Sequence, residues 1–366
     1  MRTLKSRKMK RSAYKTGMLL LVAASLLSLS ITAQEVSKEF HKEYNADKNS
    51  TLDVSNKYGD VVVTAWDKDQ VVIDVIVKVD VPGQDKAERL LGMIDVQFSE
   101  GNGKINARTL IDDKFNFSGW GSNKRFSIDY TIKMPYQTAL LLMNRYGDID
   151  IDELRGQVSL DAKYGNISVD KLTRGNEKPI NRIAVSYGKA SISQAGWLDL
   201  YARYSGSFEV EESQALLIDT RYSTFRIGTT SSIVCDSKYD KFSVEKVNNL
   251  VLETGYTTTN IGELLKKLSV EGSYGSLTVE SVPKGFESIE VDVRYMGVRV
   301  GMSEDASYRL DGRTSYGDIK FNDDDFKFER RIVENNSSEI AGLVGRDEKT
   351  DSKVRISSSY ASVKLY

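Results

Sequence analysis

Twelve tyrosines recur inside one repeating phrase, and a repeat this short restricts the chain to architectures in which each unit is completed by its neighbours. Reading outward from each Tyr, apolar residues usually stand six and four positions before it, with a short residue two before. Gly or a small residue usually follows, and apolar residues return three and five positions later. The cleanest copy is Val158-x-Leu160-x-Ala162-x-Tyr164-Gly165-x-Ile167-x-Val169. The others centre on Tyr58, Tyr146, Tyr187, Tyr204, Tyr222, Tyr239, Tyr256, Tyr274, Tyr295, Tyr316 and Tyr360. From Tyr146 to Tyr316 the steps are 18, 23, 17, 18, 17, 17, 18, 21 and 21 residues.

The phrase has the period of a strand. Spacings of two place side chains on one face, so Leu198, Leu200, Ala202 and Tyr204 are expected together, with Asp199, Tyr201 and Arg203 opposite. After the Tyr the phase usually flips, which requires a corner, and the Gly after Tyr58, Tyr146, Tyr164, Tyr187, Tyr274 and Tyr316 is expected to form it. Tyr204 departs from this, with Phe208 and Val210 at even offsets, as if one residue were inserted. Leu154, Leu172, Val247, Leu264 and Val282, each eight after a Tyr, are expected in the turn back to the next strand. Two short strands and a turn in about 18 residues form one rung of a stack rather than a globule.

The fold expected is therefore mainly β: a right-handed parallel β-solenoid over residues 139–366, with an antiparallel β-sandwich or barrel as the alternative. Residues 34–138 read as an N-terminal α+β cap carrying one early repeat (Leu52 to Val63). There Val71 to Val81 forms a long strand, and Gln84 to Ile94 a helix with Ala87, Leu90, Leu91 and Ile94 on one face. Residues 322–353 read as an exposed loop insertion before a closing unit, Val354 to Tyr366.

Residues 1–33 read as a secretory signal peptide. Seven Lys and Arg precede the uncharged stretch Met18 to Leu29, and Ile31-Thr32-Ala33 offers a cleavage site before Gln34. An uncleaved anchor is the alternative, although the stretch is short for a span. Without these residues the 51 Lys and Arg fall to 44 against 52 Asp and Glu, a formal charge of −8. That disfavours nucleic acid or anionic lipid as the main partner.

Candidates for chemistry are few. The single cysteine, Cys235, stands four before Tyr239 and reads as a buried, inert thiol. The single histidine, His41, lies in a polar segment and reads as solvated. Asp60, Asp148 and Asp318 follow Tyr-Gly pairs, and Glu211-Glu212 is an acidic pair. Paired carboxylates suit glycoside hydrolysis or calcium, but alternation with core residues reads as a solvated face. No nucleophile elbow, phosphate loop, zinc spacing or dinucleotide fingerprint is present, so no catalytic residue, metal or cofactor is expected. The tyrosines read as a buried or half-buried ladder that holds the register; an exposed strip stacking on sugar rings is the alternative. Phe115, Phe117 and Trp120, around Gly119 and Gly121, are the binding candidates, as a recognition tip or as packing on the cap.

Asn56-Lys57-Tyr58-Gly59-Asp60-Val61-x-Val63, Tyr130-Thr131-Ile132-x-Met134-Pro135 and the serial Tyr-Gly-x-Ile-x-Val units resemble the "putative adhesin" family of exported bacterial β-repeat proteins, over residues 39–366. The resemblance implies a β-solenoid without established catalytic residues. Some members are linked to envelope stress responses. The function expected is a non-enzymatic, adhesin-like binding protein of the periplasm or cell surface, with a glycan or another envelope protein as partner. An envelope-stress accessory is the first alternative and a β-helix polysaccharide-degrading enzyme the second.

Overall fold

A computed structural model describes residues 34–115, 125–322, 324 and 326–366. The proposed signal peptide and the candidates Phe117 and Trp120 lie outside the described residues.

Alternation of apolar and polar residues yields strands almost throughout. The N-terminal region holds β1 (Gln34–Asn45), β2 (Thr51–Lys57), β3 (Val61–Trp66), β4 (Gln70–Val81), helix α1 (Gln84–Leu91), β5 (Ile94–Gly101), β6 (Lys104–Ile111) and β7 (Arg125–Pro135). Short repeat strands follow: β8 (Ala139–Arg145), β9 (Ile149–Leu154), β10 (Val158–Lys163), β11 (Ile167–Leu172) and β12 (Asn181–Ser186). Longer ones each join the second half of one copy to the first half of the next. These are β13 (Lys189–Arg203), β14 (Ser207–Arg221), β15 (Thr224–Lys238), β16 (Lys241–Gly255), β17 (Thr258–Val282) and β18 (Ser288–Met302). The chain closes with β19 (Tyr308–Ser315), β20 (Asp318–Lys320), β21 (Lys327–Glu334), β22 (Ser337–Val344), β23 (Lys353–Ser359) and β24 (Ser362–Leu365).

All these strands join one open, mixed sheet of 24. Between Tyr units the pairing is parallel, not antiparallel as hairpins would require. First-half strands run β2–β8–β10–β12–β13, second-half strands run β3–β9–β11–β13, and β13 to β18 continue both ladders. Equivalent residues stand opposite each other, as in Leu200↔Ile218 and Ile218↔Cys235. The residue inserted after Tyr204 is visible here: Lys189, two after its Tyr, pairs with Ser207, three after its own.

Further strands and the helix flank the N-terminal end of both ladders. β6 extends the first-half ladder beyond β2, with β5 antiparallel to it. β7 extends the second-half ladder beyond β3, followed by antiparallel β4 and β1. Helix α1 packs on β1 and β4, burying Ala87 and Leu90. It ends at Leu91, three residues earlier than its apolar pattern, because Ile94 already opens β5. β1 was not foreseen.

The other end differs from the expectation. Val354 to Tyr366 does not close the stack: β23 lies between β18 and β19, and β24 between β18 and β20. The outermost layer is β19 and β20, covered by the antiparallel hairpin β21–β22. Much of the supposed loop, residues 327–344, is therefore strand.

Inward residues form one continuous apolar cluster. Leu198, Leu200 and Ala202 are buried as their phase requires, as are Leu154, Leu172, Val247, Leu264 and Val282 at the turns. Tyr204 does not continue their inward face: it follows the end of β13 and is exposed.

Candidate functional site

All twelve repeat tyrosines have left-handed backbone, with φ between 52° and 66°. The corner therefore sits on the Tyr itself and not on the Gly after it. Each such residue costs roughly 1–3 kcal/mol, and the sequence supplies two compensations. The Tyr N–H stays in the ladder, as in Tyr164 donating to the Ser186 carbonyl (3.0 Å) and Tyr222 to that of Lys238 (3.2 Å). The rings also stack.

The stack runs Tyr58, Tyr146, Tyr164, Tyr187, Tyr204, Tyr222, Tyr239, Tyr256, Tyr274, Tyr295, Tyr360, Tyr316, with centroids 4.8–5.2 Å apart and planes within 15°. Each neighbouring pair is worth about 0.5–1.5 kcal/mol beyond its burial. Tyr360 stands between Tyr295 and Tyr316, as the strand order requires. At the N-terminal end Phe126 tilts onto Tyr58 at 5.0 Å. Every ring after Tyr58 is solvent-exposed, from 39% at Tyr295 to 56% at Tyr316. The ladder lies at the surface and is not buried. Faces inside the column are taken by neighbouring rings, so a sugar cannot stack on them as an exposed strip would allow; what solvent meets is a row of ring edges.

Beneath the rings two chemistries follow one another along the stack. After Tyr58, Tyr146, Tyr164 and Tyr187, glycines pack backbone on backbone: a Cβ on Gly147, Gly165 or Gly188 would overlap the carbonyl of the preceding glycine. Asp and Asn one residue further on relay hydrogen bonds between layers. Asp148 N–H donates to Asp60 Oδ1 (2.8 Å), Asn166 N–H to Asp148 Oδ1 (2.7 Å), and Lys189 N–H to Asn166 Oδ1 (3.1 Å). These carboxylates hold turns. After Tyr204, Tyr222, Tyr239 and Tyr256 stand Ser205, Ser223, Asp240 and Thr257, all buried. Ser205 N–H donates to Ser223 Oγ (3.1 Å), Ser223 N–H to Asp240 Oδ1 (2.6 Å), and Asp240 N–H to Thr257 Oγ1 (3.3 Å). Ser237 Oγ donates to Asp240 Oδ2 (2.8 Å). Burial raises the Asp240 carboxyl above its ordinary value, against these hydrogen bonds.

The outward faces of the first-half strands carry charge in columns. One residue before the Tyr, Lys57↔Arg145↔Lys163 stack over three layers. Lys57 and Lys163 lie over the rings of Tyr58 (4.8 Å) and Tyr164 (5.3 Å). Three before the Tyr, Asp219↔Asp236↔Glu253↔Glu271↔Asp292 stack over five layers. Arg203 pairs with Asp219 (3.0 Å), and Arg221 with Asp236 (2.7 Å).

The other candidates resolve as packing or surface. Phe115 meets Phe126 edge-on at 5.0 Å, beside the end of the ladder. Cys235 is buried, and desolvation pushes its thiol well up. His41 Nδ1 bonds to Asp74 at 2.6 Å and Nε2 to Glu43 at 3.1 Å, on an exposed strand; the Asp74 bond leads in raising its pKa. Glu211 and Glu212 line an open groove with Glu209, Glu245 and Arg226, which pairs with Glu209 at 2.8 Å. Among the described residues no three His, Cys, Asp or Glu are placed to hold a metal ion, and no helix is long and apolar enough to cross a membrane.

No family model and no curated protein matches the chain. It is similar to solved structures described as a putative adhesin from Parabacteroides merdae (9% identity, TM-score 0.34, 90% of this chain and 96% of the other covered) and a putative adhesin from Bacteroides fragilis (10%, 0.29, 90% and 97%). A third, from Parabacteroides distasonis, is described as a putative lipid binding protein (10%, 0.26, 91% and 97%). At these TM-scores the likeness carries no argument about mechanism.

Proposed function

We propose that the chain is a non-enzymatic, adhesin-like binding protein of the bacterial envelope, exported to the periplasm or cell surface, and that the tyrosine column is its contact strip. The observation that carries this reading is the surface position of the column: eleven of the twelve strained tyrosines present a row of ring edges open to solvent. A strip repeating every 4.8–5.2 Å offers the same contact many times, and weak contacts made in series add through effective concentration. In this reading the stack winds as a right-handed solenoid, the rigid support of the strip, and export removes residues 1–33.

Residues 34–366 should bind immobilised glycans or envelope fractions. A Tyr187→Gly, Tyr204→Gly, Tyr222→Gly variant, whose glycines accept the left-handed backbone, should lose that binding with its circular dichroism spectrum intact. Unchanged binding by the variant removes the strip from the function. Polysaccharide turnover abolished by replacing one carboxylate would make the protein an enzyme. N-terminal sequencing of exported protein should begin at Gln34.

A further inference from the structure

Beyond that reading, the charge columns point to a partner. Lys57 and Arg145 are exposed and Lys163 is half-buried; among the described residues none of the three has an ion-pair partner. Five to nine layers along the same outward face, Glu253, Glu271 and Asp292 are exposed and equally without ion pairs. The layers between are neutralised internally, Arg203 by Asp219 and Arg221 by Asp236. Other charges run against the pattern, among them Asp161, in the Lys163 layer, Lys238, exposed and likewise without an ion pair in the Tyr239 layer, and Arg294, which lies over the rings of Tyr295 (5.2 Å) and Tyr360 (5.9 Å). The face is thus basic at one end, paired in the middle and acidic at the other.

We propose that this face docks a second copy of the chain, turned end for end. With a two-fold axis between the Tyr204 and Tyr222 layers, the layers of Tyr58, Tyr146 and Tyr164 meet those of Tyr295, Tyr274 and Tyr256 of the partner. A two-fold along the strands keeps each column in place, so Arg294 meets Lys57 and Asp161 meets Glu253, while Lys57, Arg145 and Lys163 reach Asp292, Glu271 and Glu253 of the partner diagonally, two residues along the facing strand, and the symmetry makes the same contacts twice. On one molecule the two patches are about 34 Å apart at the spacing of paired strands, several times the roughly 8 Å screening length at physiological salt. They cannot neutralise each other within a chain. Val234 and Val251, stacked and 48% and 46% exposed on this face, are covered by the same contact. A linear polyanion would satisfy only the basic end and be repelled by the acidic one. Single-stranded nucleic acid is further disfavoured because the ring faces its bases would stack on are occupied.

The test uses residues 34–366 in sedimentation velocity at micromolar concentration, with two triple variants checked for folding by circular dichroism and melting. The unaltered protein should be a dimer that dissociates as salt rises toward about 1 M. Lys57→Glu, Arg145→Glu, Lys163→Glu should be monomeric, and so should Glu253→Lys, Glu271→Lys, Asp292→Lys. Mixed in equal amounts they should form a heterodimer, since one face is then acidic throughout and the other basic throughout. The variant carrying all six changes should dimerise again. A monomeric unaltered protein, dimers that survive either triple change, a mixture that stays monomeric, or open-ended oligomers would each overturn the proposal. So would monomers throughout with polyuronate binding lost only in the first variant, which would make the basic end a polyanion site.

Discussion

The first four repeat layers and the next four solve one problem with different atoms. Both place a left-handed Tyr at the corner and hold its ring about 5 Å from the next: 5.0 Å for Tyr146–Tyr164 and 5.1 Å for Tyr204–Tyr222. Under the first group the chain after the Tyr is bare backbone, Gly147 on Gly59 and Gly165 on Gly147, with Asp and Asn bridging from one residue beyond. Under the second group the bridging atoms move inward by one residue, to Ser223, Asp240 and Thr257. The ring spacing is therefore set by strand pairing, which both groups share, and not by what fills the floor.

This comparison can be broken at its tightest point. Gly165→Val places side-chain atoms on the Gly147 carbonyl and should cost roughly 3 kcal/mol or more in a urea melt, whereas Thr257→Val keeps the β-branched shape, loses the acceptor of the buried Asp240 N–H and should cost about 1–3 kcal/mol. Equal effects would mean that the floors are interchangeable.

Next in size, Ser223→Ala leaves the buried N–H of Ser205 without its 3.1 Å acceptor and should cost about 1–3 kcal/mol. Gly165→Ser should not recover the equivalent bond, because the glycine floor takes its acceptors from Asp148 and Asn166.

Tyr164→Ala and Tyr222→Ala should be alike, each losing two ring contacts and keeping the strained backbone, for about 1–3 kcal/mol. The glycine versions should be milder by roughly 1 kcal/mol, because glycine accepts positive φ without penalty. A glycine variant no more stable than its alanine counterpart would mean that φ is not positive there.

The smallest effect is a pH dependence confined to the second floor. The Asp240 carboxyl is raised in the folded protein by burial, so between its ordinary and raised values the folded state holds more protons than the unfolded one, and stability falls as pH rises. Asp240→Asn should remove that slope. Relative to the variant, the unaltered protein should gain stability as pH is lowered through the raised value. A melting temperature difference flat in pH would show that the carboxyl titrates normally.

Side-chain alternation made the inward phase legible: Leu198, Leu200 and Ala202 needed only a period of two and a neighbour to pack on. Burial of Cys235 followed from the same phase. The conformation of the tyrosines was not legible, because positive φ is rare for an aromatic residue and the glycine beside it was the more natural host. Strand β1 was hidden by Lys38 and Lys42, which interrupt the Val36, Phe40 and Tyr44 face. The place of Tyr360 was unreadable for a different reason. Its unit fits equally well on either neighbour, so nothing local to residues 353–365 distinguishes an end from an interior layer. For the candidate site, the column was legible as a repeat and its exposure was not, since the strand phase pointed the rings inward.

That interior layer changes the order in which the molecule can be finished. Residues 308–320 are synthesised before the segment they rest on, and they have no parallel strand to dock against until residues 353–365 slide in between them and β18. A chain interrupted before residue 353 would lack a middle course and not merely a last one, leaving both β18 and the β19–β22 assembly with an open edge. Once seated, the segment is held by β18 on one side and β19 on the other. Fraying, which ordinarily begins at the last-made strand and costs one ladder, must here open two at once. Residues 353–365 thus act as a keystone, held by a ladder on each side.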